Sequence, residues 1–365
     1  MSIKDIFFLS TNRERDYNRI SGRLKTFYFD IKRGHLLSHS IDRIKWNIAP
    51  KYYYVADFPT HLDIETAVTC QMRCPMCRRK QMPMDLKHGL MDFSLFTKII
   101  DECANRGVYS VKLSWRGEPL LNPKIVQMVK YAKDKGIHDV AFLTNGERLD
   151  QNLIEELVDA GLDWISISVD GLGETYDRIR WPETSEGITK KISAIKKYRD
   201  YLHRNKPLIR IQTIYAAIKN DPDTYFSFWE KIGDKVYVIA DQARAENNPF
   251  PRDPAFTCYE PWRRMVIGWN GLVPNCICDY DDLNPLGDVK AQSIYEIWHG
   301  EKFTKLRECI QSKKFDSHKV CRDCHDIGIM YEQIITVGKK EITIGLYKGQ
   351  ELDLTNMDAR PKEKS

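Results

Sequence analysis

The chain of 365 residues has no apolar run of the ~18 to 20 residues that a membrane-spanning helix needs. Its short apolar patch, Ile6 to Leu9, is followed at once by the charged stretch 12–16. That combination is not the pattern of a secretory or organellar targeting peptide. We therefore expect a cytoplasmic protein that makes no membrane contact.

The sequence also lacks a strong excess of charge of either sign. Its 56 lysines and arginines exceed its 51 acidic residues only slightly, for a formal net charge of +5. A dedicated nucleic-acid-binding protein would carry a dense basic stripe, so we expect no nucleic-acid partner. The mild positive balance is compatible with an acidic or phosphorylated partner.

Ten cysteines are present, and in a reducing compartment they do not indicate disulfides. They fall into short-spaced groups, which is typical of metal ligation. The groups are Cys70, Cys74 and Cys77; Cys258, Cys276 and Cys278; and Cys321 with Cys324. Cys103 and Cys309 stand apart, and we expect both to be core residues.

Strand-like and helix-like segments alternate between His61 and about Ala240. The predicted strands are His61 to Thr66, Val108 to Trp115, Val140 to Thr144, Trp164 to Val169, Leu208 to Tyr215 and Val236 to Ala240. Such alternation predicts an α/β fold with a parallel sheet. Six repeats fall short of the eight that close a barrel, so we expect a partial (β/α)6 TIM-like barrel with its active site at the carboxyl ends of the strands.

The rest of the chain divides around this block. Residues 1–60 read as a helical, basic N-terminal extension, and residues 61–245 as the partial barrel. Residues 246–335 form a cysteine-rich extension, and residues 336–365 a C-terminal hairpin and tail. The tail from Asp358 onward is charged, so we expect it to be disordered.

The loop after the first strand carries Cys70, Cys74 and Cys77 with C-x3-C-x2-C spacing. A structural zinc site prefers four protein ligands. An iron–sulfur cube held by three thiolates instead leaves one iron without a side chain, and that iron can chelate an amine and a carboxylate. Three unrelated thiols, or a zinc site completed by a distant residue, remain alternatives.

This loop resembles that of the radical S-adenosylmethionine (SAM) superfamily, with Met76 where the family more often has an aromatic residue. The next predicted strand ends in Trp115-Arg116-Gly117-Glu118-Pro119, which resembles the family's GGEP element with Arg116 in place of the first glycine. The resemblance implies that Met76 contacts the adenine. It also implies that Gly117 lets the backbone approach the bound SAM and that Glu118 faces its amino group. A plain Gly-Glu-Pro turn is the structural alternative.

Other strand ends carry further candidates. By the same resemblance, Asn145, Ser166, Ser168 and Asp170 would contact the ribose and the methionyl carboxylate. The last three alternate along the chain and should share one face of the strand. Gln212 on the fifth strand is a further candidate. Purely structural polar roles are the alternative.

The resemblance implies radical chemistry. A reduced 4Fe–4S cluster would cleave SAM to methionine and a 5′-deoxyadenosyl radical, which takes hydrogen from a substrate C–H bond. A flavodoxin- or ferredoxin-like donor would supply the electron. The protein must orient the C–H bond and exclude competing reactions.

The later cysteines resemble the SPASM/twitch extension of radical enzymes. That resemblance implies one auxiliary 4Fe–4S cluster on Cys258, Cys276, Cys321 and Cys324, in the shorter form because no cysteine follows Cys324. Zinc on the same four thiols and a haem on the C-x-x-C-H pattern ending at His325 are alternatives. Cys278 is a candidate hydrogen-atom donor to a substrate radical, or a packed thiol.

The expected substrate is small and polar: a sugar, a cyclitol or a sugar nucleotide that is oxidised, dehydrated or epimerised. Arg263 and Arg264 are candidates for a phosphate contact. Asp279, Tyr280 and His325 are candidates for hydroxyl or proton contacts. A peptide substrate is the second hypothesis, and a non-catalytic iron–sulfur electron carrier is the third.

Overall fold

The structure is a computed structural model, and it describes residues 17–18, 36–241, 250–281 and 284–361. Most of the predicted helical extension, residues 1–60, lies outside the described residues. The described part contains twelve strands. They are β1 Tyr17–Asn18, β2 His61–Ile64, β3 Ser110–Lys112, β4 Asp139–Thr144, β5 Trp164–Ser168, β6 Leu208–Ile214, β7 Lys235–Ile239, β8 Arg264–Ile267, β9 Leu272–Val273, β10 Gly287–Asp288, β11 Met330–Val337 and β12 Lys340–Tyr347.

Seven of these strands form one parallel sheet in the order β7-β6-β5-β4-β3-β2-β8. Among the described residues, no pairing joins the edge strands β7 and β8, so the barrel stays open. The predicted partial barrel is confirmed. Every residue of β5 is buried, as expected for a parallel strand covered on both faces.

The seventh strand, β8, was not predicted. It comes from the cysteine-rich extension and pairs in parallel with β2, with Leu62 opposite Met265. The sheet therefore crosses the proposed boundary at residue 245. The four residues of β8 do not by themselves indicate that they pair with β2. Their partner is distant along the chain, and the pairing depends on which edge of the sheet is open.

Helices cover the sheet and the C-terminal region. The described helices are α1 Leu36–Ile48, α2 Phe93–Asn105, α3 Ile125–Asp134, α4 Gln151–Asp159, α5 Gly173–Ile179, α6 Ser185–Tyr201, α7 Pro222–Trp229, α8 Ile294–His299, α9 Glu301–Gln311 and α10 Lys319–Arg322. Helix α2 begins as a polar cap predicts, because Asp92 accepts a hydrogen bond from the backbone N–H of Ser94 at 2.7 Å. Its buried residues Phe96, Ile99, Ile100 and Cys103 follow the helical period.

The C-terminal region adds two small sheets. Strands β9 and β10 pair antiparallel. Strands β11 and β12 form a hairpin, to which β1 adds a third strand. The hairpin that we proposed for residues 336–365 thus begins earlier, at Met330.

The tail that we expect to be disordered begins at Asp358; the structure describes its residues 358–361, while residues 362–365 lie outside the described residues. Arg178 donates to the carbonyl oxygens of Leu354, at 2.6 Å, and of Met357. The N–H of Ala359 donates back to the Arg178 carbonyl at 2.9 Å. Leu354 also packs in an apolar cluster with Ile179. These contacts hold a segment whose composition alone predicts no structure.

Candidate functional site

The three-cysteine loop follows β2 and borders a cavity of about 650 Å³ at the carboxyl ends of the central strands. Cys70, Cys74 and Cys77 all line this cavity. Cys74 is buried, Cys70 half-buried and Cys77 exposed. Among the described lining residues there is no fourth cysteine and no histidine. The cavity therefore offers three thiol ligands and leaves one side of a metal site without a cysteine or histidine ligand.

The loop suits a metal cluster in its chemistry. Burial raises the pKa of Cys70 to about 12, with Glu118 contributing, and burial also raises the pKa of Cys74. Without a bound cation these two thiols stay protonated at neutral pH, whereas a coordinated metal ion keeps such a thiol ionised. Three converging thiols that need a positive partner fit a three-thiolate 4Fe–4S cluster.

Glu118 lies on the cavity wall, and its side chain is buried. It accepts from the Thr144 hydroxyl at 2.6 Å, from the N–H of Asn145 at 2.7 Å and from the N–H of Leu120 at 3.1 Å. Burial raises the pKa of Glu118 to about 7, and these hydrogen bonds oppose the rise. The carboxyl group therefore fixes the ends of two strands and can change its charge near neutrality.

Gly117 and Asn145 complete this wall. A Cβ on Gly117 would lie 2.3 Å from the Ala67 carbonyl oxygen and 2.4 Å from the Val68 carbonyl carbon, so only glycine allows this close backbone approach. The Asn145 amide donates to the Cys70 sulfur over 3.7 Å. Met76 and Ser168 also line the cavity. These four predicted residues therefore lie together with the three cysteines.

Ser166, Asp170 and Gln212, also predicted as cofactor contacts, do not line the cavity. Ser166 accepts a hydrogen bond from the Arg210 side chain at 2.9 Å, and Gln212 accepts one at 3.2 Å. Asp170 pairs with Arg180 and accepts from the N–H of Ile214 at 3.0 Å. Of the three residues predicted to share one strand face, only Ser168 lines the cavity, while Ser166 and Asp170 bond other side chains of the protein. Their contacts to the cofactor stay a prediction.

Arg180 is a site residue that the sequence analysis missed. Its Nε donates to Asp170 at 2.7 Å, and its Nη1 lies 3.7 Å from the Cys74 sulfur. Asp170 therefore acts on the site indirectly, because it holds the Arg180 guanidinium beside the Cys74 thiol. No motif marks an arginine twelve residues beyond the end of β5, so only the fold identifies it.

The cavity wall is strongly cationic. Eight lining side chains are basic and two, Glu118 and Asp358, are acidic. The basic ones are Arg73, Arg78, Arg79, Lys80, Lys87, Arg116, Arg180 and Arg360. Arg73 and Lys80 are exposed and form no ion pair within the described ranges.

The predicted phosphate contacts Arg263 and Arg264 lie elsewhere. Arg263 is buried and pairs with Glu260. Arg264 bonds Asp63 at 3.1 Å, and neither arginine lines the cavity. Each of the two guanidiniums pairs with a carboxylate inside the protein, so their positions give no support to the predicted phosphate contact.

The cysteines of the second group lie close enough to one another to affect one another's pKa. Burial raises the pKa of Cys258, and Cys321 contributes; the pKa of Cys321 itself rises to about 12. Cys276 has a raised pKa through its hydrogen bond to Cys278 and through burial, with further effects of Cys321 and Cys324. Cys309 and Cys278 also contribute to the raised pKa of Cys321. Six thiols thus lie close enough to affect one another's pKa, which fits the donor set of an iron–sulfur cluster.

Cys278 belongs to this group and does not line the cavity. Its sulfur lies 3.9 Å from an Asp326 carboxylate oxygen. The ligand atoms of Cys278, Cys324 and His325 all lie within 4.8 Å of one another. The position of Cys278 therefore gives no support to its proposed role as a hydrogen donor to a substrate in the cavity.

The two cysteine sites are tied together by the SAM-motif strand end. The Trp115 indole donates to the Ile277 carbonyl at 2.9 Å, and Arg116 donates to the Tyr280 carbonyl at 3.0 Å. Tyr280 itself lines the cavity. Asp279, another candidate contact, is buried and accepts from the Asn275 amide at 2.7 Å, so it serves the loop and not a ligand.

No helix in the described part of the chain combines the length and apolar character needed to cross a membrane.

Comparison with known proteins identifies both cysteine regions. Residues 64–209 match the model of the radical SAM superfamily. Residues 258–325 match the model of the SPASM iron–sulfur cluster-binding domain. The two domains imply a radical SAM 4Fe–4S cluster, an auxiliary cluster and SAM as cofactors.

Three similar proteins agree with these matches. The tungsten-containing aldehyde ferredoxin oxidoreductase cofactor-modifying protein of Pyrococcus furiosus is 28% identical over 314 residues, 72% of this chain and 86% of that protein. The GTP 3′,8-cyclase of Rippkaea orientalis is 35% identical over 300 residues, 69% of this chain and 89% of that one. The crystal structure of BtrN with AdoMet and 2-DOIA has a TM-score of 0.53 at 16% identity, covering 74% of this chain and 95% of BtrN.

The match to BtrN concerns the fold alone. The two sequence matches extend over most of each relative's length. The family models fall on the two cysteine regions that the fold brings together. The chain belongs to the radical SAM superfamily and carries a C-terminal SPASM domain.

Proposed function

We propose that the protein cleaves SAM reductively and abstracts hydrogen from a carbon of a sugar, a cyclitol or, above all, a sugar nucleotide. Oxidation, dehydration or epimerisation would follow. The observation that carries the proposal is a single cavity walled by the three-thiol loop, by Glu118 and by an excess of cations. We further propose that it works in the cytoplasm with a flavodoxin- or ferredoxin-like electron donor.

The positions of the residues in the cavity wall support the following assignment. Cys70, Cys74 and Cys77 would hold the cluster, and Glu118 and Gly117 would receive the amino group of SAM. When bound, the cluster and SAM supply a 5′-deoxyadenosyl radical. Asn145 and Arg180 direct N–H donors at Cys70 and Cys74, and such hydrogen bonds stabilise negative charge on cluster thiolates.

The cations favour a phosphorylated substrate. Of the eight basic lining side chains, Arg116, Arg180 and Arg360 are paired with Glu65, Asp170 and Asp358. The remaining five still outnumber the acidic Glu118, so the site attracts anions, and guanidinium groups suit phosphate in particular. The relative named GTP 3′,8-cyclase acts, by its name, on a nucleotide. Arg73 and Lys80 lie beside the three cysteines and line the same cavity. A phosphate bound to them would therefore place the attached sugar in the cavity, near the three thiols.

The decisive experiment is anaerobic incubation with reductant, SAM and deuterated candidate substrates. A sugar nucleotide or sugar phosphate should raise the formation of 5′-deoxyadenosine and pass deuterium into it. A screen in which only peptides do so would favour the second hypothesis and overturn ours. A fully loaded protein that does not cleave SAM at all would favour a non-catalytic electron carrier.

Removing the two unpaired cations, Arg73 and Lys80, should weaken the binding of the substrate and leave the cleavage of SAM nearly unchanged. We expect Arg73→Gln with Lys80→Gln to lower kcat/KM for a phosphorylated substrate at least about tenfold, since each lost charge-assisted phosphate contact is worth ~1.5 to 3 kcal/mol. Substrate-independent SAM cleavage should change less than about twofold. The matched control is Lys190→Gln, which removes an exposed charge paired only with Glu186. Equal losses in both reactions would contradict a substrate role.

The affinity for SAM should depend on pH through Glu118. Its pKa of about 7 means that the group is mainly protonated at pH 6 and mainly ionised at pH 7.5. Only the carboxylate pairs with an ammonium, so the dissociation constant should fall about fivefold to tenfold over that range. Titrating SAM into cluster-loaded protein measures this. Glu118→Gln should bind more weakly and with a flat profile; a pH dependence that survives this substitution would assign the titration to another group.

A further inference from the structure

A polar bridge joins the two cysteine sites, and it consists of Arg78 and His325. Arg78 follows Cys77 directly and His325 follows Cys324 directly. The Arg78 Nη1 and the His325 Nδ1 lie 3.0 Å apart, although 247 positions separate the two residues. The Arg78 guanidinium also lies over the Tyr280 ring at 4.9 Å.

The chemistry of the two groups determines the direction of this hydrogen bond. Arginine offers only donors, so His325 must accept through Nδ1 and carry its ring proton on Nε2. That nitrogen lies 3.0 Å from an Asp326 carboxylate oxygen. His325 is buried, with 3% exposure. It is therefore a neutral acceptor that holds the permanent charge of Arg78 at a defined place.

That place adjoins the auxiliary thiols. A His325 ring nitrogen lies within 4.8 Å of the ligand atoms of Cys324 and Cys278. The Arg78 charge is thus one side chain away from the proposed cluster ligands. Reduction adds negative charge to a cluster, so a nearby cation stabilises the reduced state and raises the reduction potential.

We propose that the Arg78–His325 bridge sets the reduction potential of the auxiliary cluster. Arg78 raises the potential, and His325 is a positioning residue that acts through Arg78. The inference concerns the auxiliary cluster that the SPASM domain implies, and it does not depend on the identity of the substrate. It assigns to the cysteine loop of the SAM site an influence on the second cluster as well.

The test is an anaerobic redox titration of reconstituted full-length protein followed by EPR. A Cys74→Ala background, which removes the first cluster, isolates the auxiliary signal. We expect Arg78→Gln to lower the ratio of reduced to oxidised auxiliary cluster about tenfold at a fixed potential, which is about 59 mV for one electron. Arg78→Lys should retain most of the charge effect and change the ratio less than about threefold.

The control is Arg73→Gln, which removes the same charge from an exposed position of the same loop and should leave the ratio unchanged. His325→Leu should behave as Arg78→Gln does, His325→Gln should restore most of the ratio because its amide oxygen can accept, and the double variant should add no further shift. An unchanged ratio in Arg78→Gln, or an equal shift in Arg73→Gln, would overturn the proposal.

Discussion

Replacing Cys74 by alanine is expected to lower 5′-deoxyadenosine formation by at least about 10³-fold, because the cluster and SAM supply the whole bond-breaking step. The same variant should lose one of two clusters, so that iron falls from about eight to about four atoms per chain. Cys74 is the most buried of the three loop thiols. The measurements are product analysis and metal analysis of anaerobically reconstituted protein.

The matched control for this result is Cys103→Ala. Cys103 is a fully buried thiol on α2 that packs in the hydrophobic core and does not line the cavity. This variant should keep its iron and its SAM cleavage. If Cys74→Ala retained all its iron, the three-cysteine site would be disproved. Wild-type protein with about four irons and one zinc would disprove the auxiliary cluster instead.

The largest effect on stability is expected at Arg116, the residue that stands where the resembling motif has glycine. Its guanidinium bonds the Glu65 carboxylate at 2.7 and 2.9 Å, and both side chains are fully buried. Arg116→Gly would leave that carboxylate without its counter-charge. Breaking a buried pair in this way typically costs about 3 to 5 kcal/mol, so the free energy of unfolding in urea should fall by that order.

Two further variants separate charge from packing in this prediction. Adding Glu65→Gln to Arg116→Gly removes the buried charge and should recover a large part of the loss, as a double-mutant cycle would detect. Arg106→Gly removes an arginine paired on the surface with Asp57, where the two side chains are 40% and 69% exposed, and should cost about 1 kcal/mol. A loss at Arg116 no larger than at Arg106 would contradict the burial argument.

The local elements of the barrel could be predicted because each carries its own pattern. Helix α2 is an example, since its apolar period and its cap are both local. The three-cysteine loop was found from its spacing, and Gly117 from its resemblance to a family motif, because a cluster loop and a close backbone approach each require particular residues in a short segment.

Strand β8, the ordered tail and the cavity cations could not be predicted in this way. The tail is held by Arg178, which lies 176 positions from Leu354. The composition of the tail favours disorder, and it is contacts with residues from another part of the chain that hold the tail in place. For Asp170 the sequence located the residue at the predicted strand end but could not show its partner. The carboxylate pairs with Arg180 and does not line the cavity.

The sequence by itself determined the alternation of strands and helices and the presence of two cysteine sets, because both reside in residue types at short spacing. The resemblance of two short motifs to those of a known family indicated the radical SAM superfamily. Only the tertiary structure decided which polar residues face the cavity, that cations surround it, and that Arg78 meets His325 across 247 positions. The physical reason is that electrostatic and hydrogen-bonding roles depend on distance in space, and a folded chain sets those distances through packing that no short segment encodes.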